Sequence, residues 1–374
     1  MRVGFSTFGM DGGRSGVATY ICGLMHALQL EDSDNTYELL STKHDADRIA
    51  LTHPNFDTKI IPSILGSPLP SLLWHNTVLA GLAKKYDVLH IPSARRIPFA
   101  KRTKVVATIH DLAAFSVDAK YDAGRMLFNR KVVPAMIRRA DHLIAVSEFT
   151  KSDIVRHTGY PEEHISVIYS GINRELFQPV ADDEARGRLK TMYALERPFF
   201  VYVSRLEHPA KNHVRLIEAF ERFKLENDSA HQLVLAGADW HGAQAIRARA
   251  ACSPVKDDIV FPGFVPQEAL PLLYSACDLM VFPSLFEGFG FPVLEALACG
   301  APVACSDSSS LKEIAADLIP VFDPSDSSAI FECMESTVSK GWSTELRARG
   351  MEHALRFDWR ETARSVMEVY RLLA

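Results

Sequence analysis

Several things are missing from this sequence, and each absence closes a class of function. No apolar run reaches the length that crosses a bilayer, so no membrane-spanning helix is expected. The six cysteines (Cys22, Cys252, Cys277, Cys299, Cys305 and Cys333) include no C-x-x-C pair. They read as buried, reduced thiols of a cytoplasmic protein, not as disulfides or zinc ligands. Neither half holds G-x-G-x-x-G after an apolar strand, which argues against a dehydrogenase. There is no H-E-x-x-H, and no D-x-D at a suitable strand end, so neither a metal ion nor another cofactor is expected. The net charge of -5 argues against nucleic-acid binding. The first residues run straight into an apolar strand, which leaves no signal peptide.

What remains is a chain of 374 residues, 47% hydrophobic and 23% charged, as in a globular protein. It is too long for one ordinary core, so two domains are expected. Short apolar runs alternate with helical patterns, which predicts α/β folding with parallel sheets covered on both faces. The first half offers strands at Val3–Ser6, Tyr37–Leu40, Lys59–Ile61, Val88–Ile91, Val105–Ile109, Leu143–Val146 and Ser166–Ile168. Helices are expected at Val17–Leu30 and Arg125–Ala140. After a linker at Asn173–Pro179, a second alternation begins at Phe199–Val203. It continues through Leu233–Ala236, Ile259–Phe261, Leu279–Phe282, Val303–Cys305 and Ile319–Phe322. The predicted domains are residues 1–175 and 176–358, with an amphipathic last helix, Trp359–Leu373, returning to the first.

The most informative stretch is Val281 to Pro302. A buried strand stops at Pro283, a loop with Gly288 and Gly290 follows, and Pro292 stands where a helix begins. A helix start of this kind, with free N–H groups and partial positive charge, suits a phosphate or diphosphate. Glu287 lies on the loop. Glu295, eight residues on and in the first turn of the helix, can accept two hydrogen bonds from a ribose diol. Alone, Glu295 would pass for a carboxylate favoured by the helix dipole.

Three other places carry chemistry. Ser204, Arg205 and Lys211 follow the strand Phe199–Val203, and the two cations form an anion clamp. His110 and Asp111 follow the strand Val105–Ile109, where ligands of parallel sheets sit; the other thirteen histidines read as structural. The loop Gly9–Gly16, with Gly12, Gly13 and Gly16, supports a tight strand-to-helix turn. Ser147 reads as a helix N-cap. A basic run (Arg95, Arg96, Lys101, Arg102, Lys104) is either a solvated loop or a patch for an anionic acceptor or acidic headgroups. Pro68–Trp74 is open between core packing and membrane contact.

The segment E-G-F-G-F-P-V-L-E-A resembles the signature of the retaining glycosyltransferases of family 4, and His110-Asp111 resembles the His-Asp of their mannosyltransferase-like branch. The resemblance implies a GT-B fold: two Rossmann-like domains facing each other across a cleft, with the donor mainly on the second. It implies a nucleotide-sugar donor, GDP-mannose first, with UDP- and dTDP-sugars open. It also implies a glycan acceptor, lipid-linked, in surface polysaccharide synthesis. The protein would then be cytoplasmic, with peripheral contact at the inner membrane face. Arg205, Lys211, Gly290 and Phe291 would hold the donor diphosphate, Glu295 the ribose, and Val265 the base edge. Glu287 and His110 would meet the donor sugar. Gly12, Gly13 and Gly16 would lie over the diphosphate, and Asp111 and Ser147 would border the acceptor. The competing readings are an epimerase of the same fold and a non-catalytic sugar-nucleotide-binding protein.

Overall fold

The computed structural model describes every residue except Arg14 and Ala119, together with the side chains of all described residues but Asp11 and Pro68. The chain divides into two compact units. The first holds Met1–Phe115, Asp122–Gly171 and Phe357–Ala374, and the second holds Ser116–Tyr121 and Ile172–Arg356.

The first unit is built on seven strands: β1 (Arg2–Ser6), β2 (Thr36–Thr42), β3 (Phe56–Ile61), β4 (Val88–Ile91), β5 (Lys104–Ile109), β6 (His142–Ala145) and β7 (Ile165–Val167). They form one sheet in the order β3-β2-β1-β4-β5-β6-β7, all parallel. Helices cover both faces. That is why β4 and β6 are buried throughout rather than alternately, even at His90 and His142. The helix Gly16–Glu31 and the last helix, Trp359–Leu373, share one core, in which Ile21, Leu24, Leu28, Ala363, Val366 and Tyr370 are buried. Gly23 makes this packing possible: a Cβ there would fall 2.2 Å from the Trp359 ring. The expected return of the last helix to the first unit is therefore what the chain does.

The second unit repeats the plan with β8 (Phe199–Val203), β9 (Gln232–Ala236), β10 (Ile259–Gly263), β11 (Leu279–Phe282), β12 (Val303–Ser306) and β13 (Val321–Phe322). Its order is β10-β9-β8-β11-β12-β13, again parallel. In both sheets the chain starts in the middle, winds outward one way, then crosses back and winds the other way. The reversal falls between β1 and β4, and between β8 and β11. Such a switch point leaves a crevice outside the carboxyl ends of the strands.

Four expectations need correction. Arg125–Ala140 is two helices, Ala123–Lys131 and Val133–Ile137, because Pro134 supplies no N–H to carry the first one through and instead opens the second. The strand expected at Ile319–Phe322 is only Val321–Phe322, since Pro320 lacks a ladder donor. Glu295 lies in the second turn of its helix, Phe291–Ala298. Of the cysteines, Cys277, Cys299 and Cys305 are buried, but Cys22 and Cys333 are half-buried and Cys252 is exposed.

Candidate active site

In the second unit the two loops at the switch point come together. The loop after β8 carries Ser204 to Asn212, and the loop after β11 carries Pro283 to Gly290. The Leu285 N–H donates to the Ala210 carbonyl at 3.0 Å, which ties them directly. Lys211 and Glu287 then meet as an ion pair, Nζ to Oε1 at 2.6 Å, with both side chains largely shielded. Arg205 pairs with Glu207 at 3.3 Å and lies over the Trp240 ring, 4.7 Å from its centroid. Glu207 is buried, and neither it nor Trp240 stood out in the sequence. Ser204 Oγ lies 3.3 Å from His213 Nε2, and burial lowers that imidazole to about 3, so it is neutral.

The Glu287 loop is held by hydroxyls from the end of β12. Ser306 and Ser308 donate to the Ser284 carbonyl, and Ser310 donates to the carbonyls of Glu287 and Phe289. Ser309 Oγ accepts from the Glu287 N–H at 2.9 Å. This collar fixes Glu287 without using its carboxylate. The run Ser308-Ser309-Ser310 was its only trace in the sequence.

Gly290 follows at φ 123°, where side chains are strained, and a Cβ there would meet Leu311 at 2.9 Å. It caps the helix Phe291–Ala298 with no side-chain hydrogen bond. No side-chain oxygen competes at this helix start, where Pro292 has no N–H and the Val293 N–H donates to the Gly290 carbonyl at 3.1 Å. One turn in, Glu295 is buried and accepts from the Tyr274 hydroxyl at 3.2 Å. Burial pushes its carboxyl up to about 7, with the tyrosine bond pulling the other way. Gly300, expected to cap this helix, stands one residue beyond the cap Cys299 with φ 72°. Val265 is buried in the loop after β10.

In the first unit the candidates share the carboxyl edge of one sheet. Gly12 and Gly13, at φ 68° and 83°, turn the chain after β1. Gly16 opens the next helix, capped by Ser15, whose hydroxyl accepts from the Ala18 N–H. Arg14 of this loop lies outside the described residues. His110 follows β5 and packs edge-on against Tyr20, with ring centroids 4.9 Å apart. It bonds the Pro92 carbonyl, while its Nε2 is shielded and has no partner among the described residues. The proton is thus on Nδ1 and the lone pair on Nε2. Burial lowers this imidazole to about 4, so it is neutral near pH 7. Tyr20 joins a buried chain: its hydroxyl lies 3.0 Å from Thr108 Oγ1, His90 Nε2 lies 2.8 Å from the same atom, and His90 Nδ1 lies 2.6 Å from the Tyr370 hydroxyl. Asp111 is exposed and accepts from the Ala113 N–H. Ser147 caps the helix Glu148–Thr158 through the Thr150 N–H.

The basic run is divided by the fold. Lys101 pairs with Asp141 at 2.7 Å, Arg95 bonds Asn129 and Arg96 bonds Ser71, while Arg102 and Lys104 are exposed. Among the described residues no three metal-binding side chains converge, and no helix is long and apolar enough to cross a membrane.

The model described as Glycosyltransferase Family 4 matches residues 14–176, and the model described as Glycosyl transferases group 1 matches residues 188–355. The O-antigen chain mannosyltransferase B of Escherichia coli is 29% identical over 271 residues, covering 72% of this chain and 71% of that protein. The serotype-specific mannosyltransferase WbdA of Escherichia coli is 28% identical over 310 residues, covering 81% of this chain, which spans only 37% of WbdA. The solved structure of sucrose-phosphate synthase from Thermosynechococcus elongatus has a TM-score of 0.81 at 21% identity. It covers 100% of this chain and 99% of its own, and so shows the GT-B fold. With one model matched on each half and relatives named as mannosyltransferases, the chain belongs to glycosyltransferase family 4.

Proposed function

We propose that this glycosyltransferase moves mannose from GDP-mannose to a hydroxyl of a lipid-linked glycan in surface polysaccharide synthesis. Transfer retains the anomeric configuration and uses no metal ion or other cofactor. The observation that carries this reading is the cluster at the β8–β11 switch point. There Lys211 pairs with Glu287, Arg205 pairs with Glu207 on the same loop as Lys211, and the helix Phe291–Ala298 follows directly after the Glu287 loop. The charge that grows on a departing diphosphate is met by these groups without reorganisation. Arg205 and Lys211 take the phosphates with the backbone of Gly290 and Phe291, and Glu295 takes the ribose hydroxyls. Val265 edges the base, with Ser204 beside the phosphates. Glu287, released from Lys211 by the incoming diphosphate, turns its carboxylate to the sugar.

In the first unit Gly12, Gly13 and Gly16 lie over the diphosphate, and the neutral Nε2 of His110 accepts from a sugar hydroxyl. Asp111 and Ser147 border the acceptor. Attack comes on the face the diphosphate leaves, and the leaving phosphate takes the acceptor proton. The mannose assignment is supported by the two Escherichia coli relatives, both named as mannosyltransferases.

The deciding experiment is a thermal-shift screen of GDP, UDP, dTDP and ADP, followed by incubation with the matching nucleotide-sugar. GDP should raise the melting temperature most, since a ligand that binds only the folded state stabilises it. GDP-mannose should then turn over only with an acceptor, undiminished by EDTA. A larger shift with UDP, or epimerised sugar without acceptor, would overturn the assignment.

A further inference from the structure

Trp240 stands between β9 and the helix Ala243–Ala251, with its ring 48% exposed. A single exposed ring means little by itself. Its neighbour gives it a meaning. The pairing of β8 with β9 continues past the ends of both strands. The Ser204 N–H donates to the Ala236 carbonyl at 3.0 Å, the Leu206 N–H to the Ala238 carbonyl at 2.9 Å, and the Trp240 N–H to the Leu206 carbonyl at 3.1 Å. Gly237 permits this approach, because a Cβ there would fall 1.9 Å from the Ser204 carbonyl oxygen. The two loops are zipped together, and their register sets Trp240 beside Arg205. Asp239, next to Trp240 in the chain, is paired with Arg247 at 2.7 Å, and Arg247 lies over the Phe261 ring. The loop is thus held on its other side as well.

Arg205 carries a planar cation with five N–H donors. Its guanidinium carbon lies 4.7 Å from the centre of the Trp240 ring, and its Nη2 donates to the buried Glu207 at 3.3 Å. The ring covers one face and the carboxylate takes one edge. Nε and Nη1 have no hydrogen-bond partner among the described residues. Stacking on the ring fixes the plane of the guanidinium without using an N–H. A long, flexible side chain is therefore held in place before a ligand arrives, with donors to spare in the fork that matches a phosphate.

We infer that Trp240 is a positioning residue for Arg205, fixing the plane in which the guanidinium meets the donor diphosphate. Trp240 itself touches no phosphate. It removes the entropy that Arg205 would otherwise lose on binding, so the charge is in place when the diphosphate comes. The inference deepens the proposed contact between Arg205 and the diphosphate and rests on it.

The test is calorimetric titration of the full chain with GDP and with inorganic pyrophosphate, which needs no acceptor. Trp240→Leu should weaken both by about three- to fivefold, the worth of one cation–π contact. Trp240→Phe keeps a ring face and should restore most of that loss. In an Arg205→Ala background, Trp240→Leu should cost nothing more, since a positioning residue acts through its partner. Fluorescence gives a second readout. Of the four tryptophans, Trp240 is the one stacked with Arg205, so pyrophosphate should change the emission of the parent and not that of Trp240→Phe. A loss of equal size with and without Arg205, or a loss for GDP alone, overturns the inference and leaves the phosphate role of Arg205 standing. If Arg205→Ala binds pyrophosphate as tightly as the parent, both fall.

Discussion

The two units share a strand order and differ in how their helices begin. In the first unit the helices after β1 and β6 are closed by serine hydroxyls, Ser15 and Ser147. In the second, the helices starting at His213 and Phe291 have no side-chain cap; their N-cap residues are Asn212 and Gly290. The amide of Asn212 is instead spent on the Pro283 and Pro324 carbonyls. The candidate side chains differ in the same way. Those of the first unit include a neutral imidazole and a capping serine, while those of the second are cations matched to carboxylates. One scaffold thus serves two tasks. On the proposed reading, the edge without side-chain caps serves negative charge, and the edge where serine caps the helices serves shape and neutral hydrogen bonds.

Four substitutions or titrations test this contrast, beginning with the largest expected effect. Glu287→Gln should cut turnover on the order of a thousandfold while nucleotide affinity changes little, because charge is lost and shape is kept. Steady-state kinetics beside calorimetric binding would check it, and full turnover would remove Glu287 from the mechanism. Arg205→Ala should lower turnover by about a hundredfold by stripping charge stabilisation. A loss confined to KM would mean that Arg205 only binds.

Third comes pH. Glu295 must be ionised to accept from two ribose hydroxyls, and its carboxyl sits at about 7 in the folded protein. Nucleotide affinity should therefore rise about tenfold from pH 6 to pH 8, a slope that Glu295→Gln removes. Stability has the opposite sign. Between the ordinary value of 4.5 and about 7 the folded carboxyl holds a proton that the unfolded one has released. Glu295 therefore makes the protein less stable as pH rises through that window. The buried histidines His75, His90, His110 and His213, all lowered by burial, act in reverse and lose stability as pH falls below about 6.5. The smallest effect belongs to Ser147→Ala: about 1 kcal/mol of stability from a lost cap, with the GDP-induced shift unchanged. Denaturant titration with and without GDP reads both.

The sheets were legible because buried parallel strands are apolar on both faces. Val88–Ile91, Phe199–Val203 and Leu279–Phe282 lie where the runs of Val, Ile, Leu and Phe place them. Breaks were harder to read. The helical spacing of Arg125–Ala140 continues through Pro134, so periodicity alone joined two helices that the backbone separates. In the second unit, the loop residues Arg205, Lys211, Glu287 and Gly290 were visible because their types are unusual at strand ends. Their partners were not. Glu207 is two residues from Arg205 and carried no signal of its own. Tyr274 is 21 residues from Glu295, and Ser309 is 22 from Glu287. Contacts at those separations are set by register between strands, which no local pattern encodes.

The last helix has a consequence for how the protein is made. Ala363, Val366 and Tyr370 complete the core beneath Gly16–Glu31, and the Tyr370 hydroxyl ends the chain of bonds through His90 and Thr108 to Tyr20, against which His110 packs. The amino-terminal half is synthesised first and finished last. Until the segment Trp359–Leu373 has been made, the imidazole has no settled cage, so a chain broken off before this helix carries a first half without its full core.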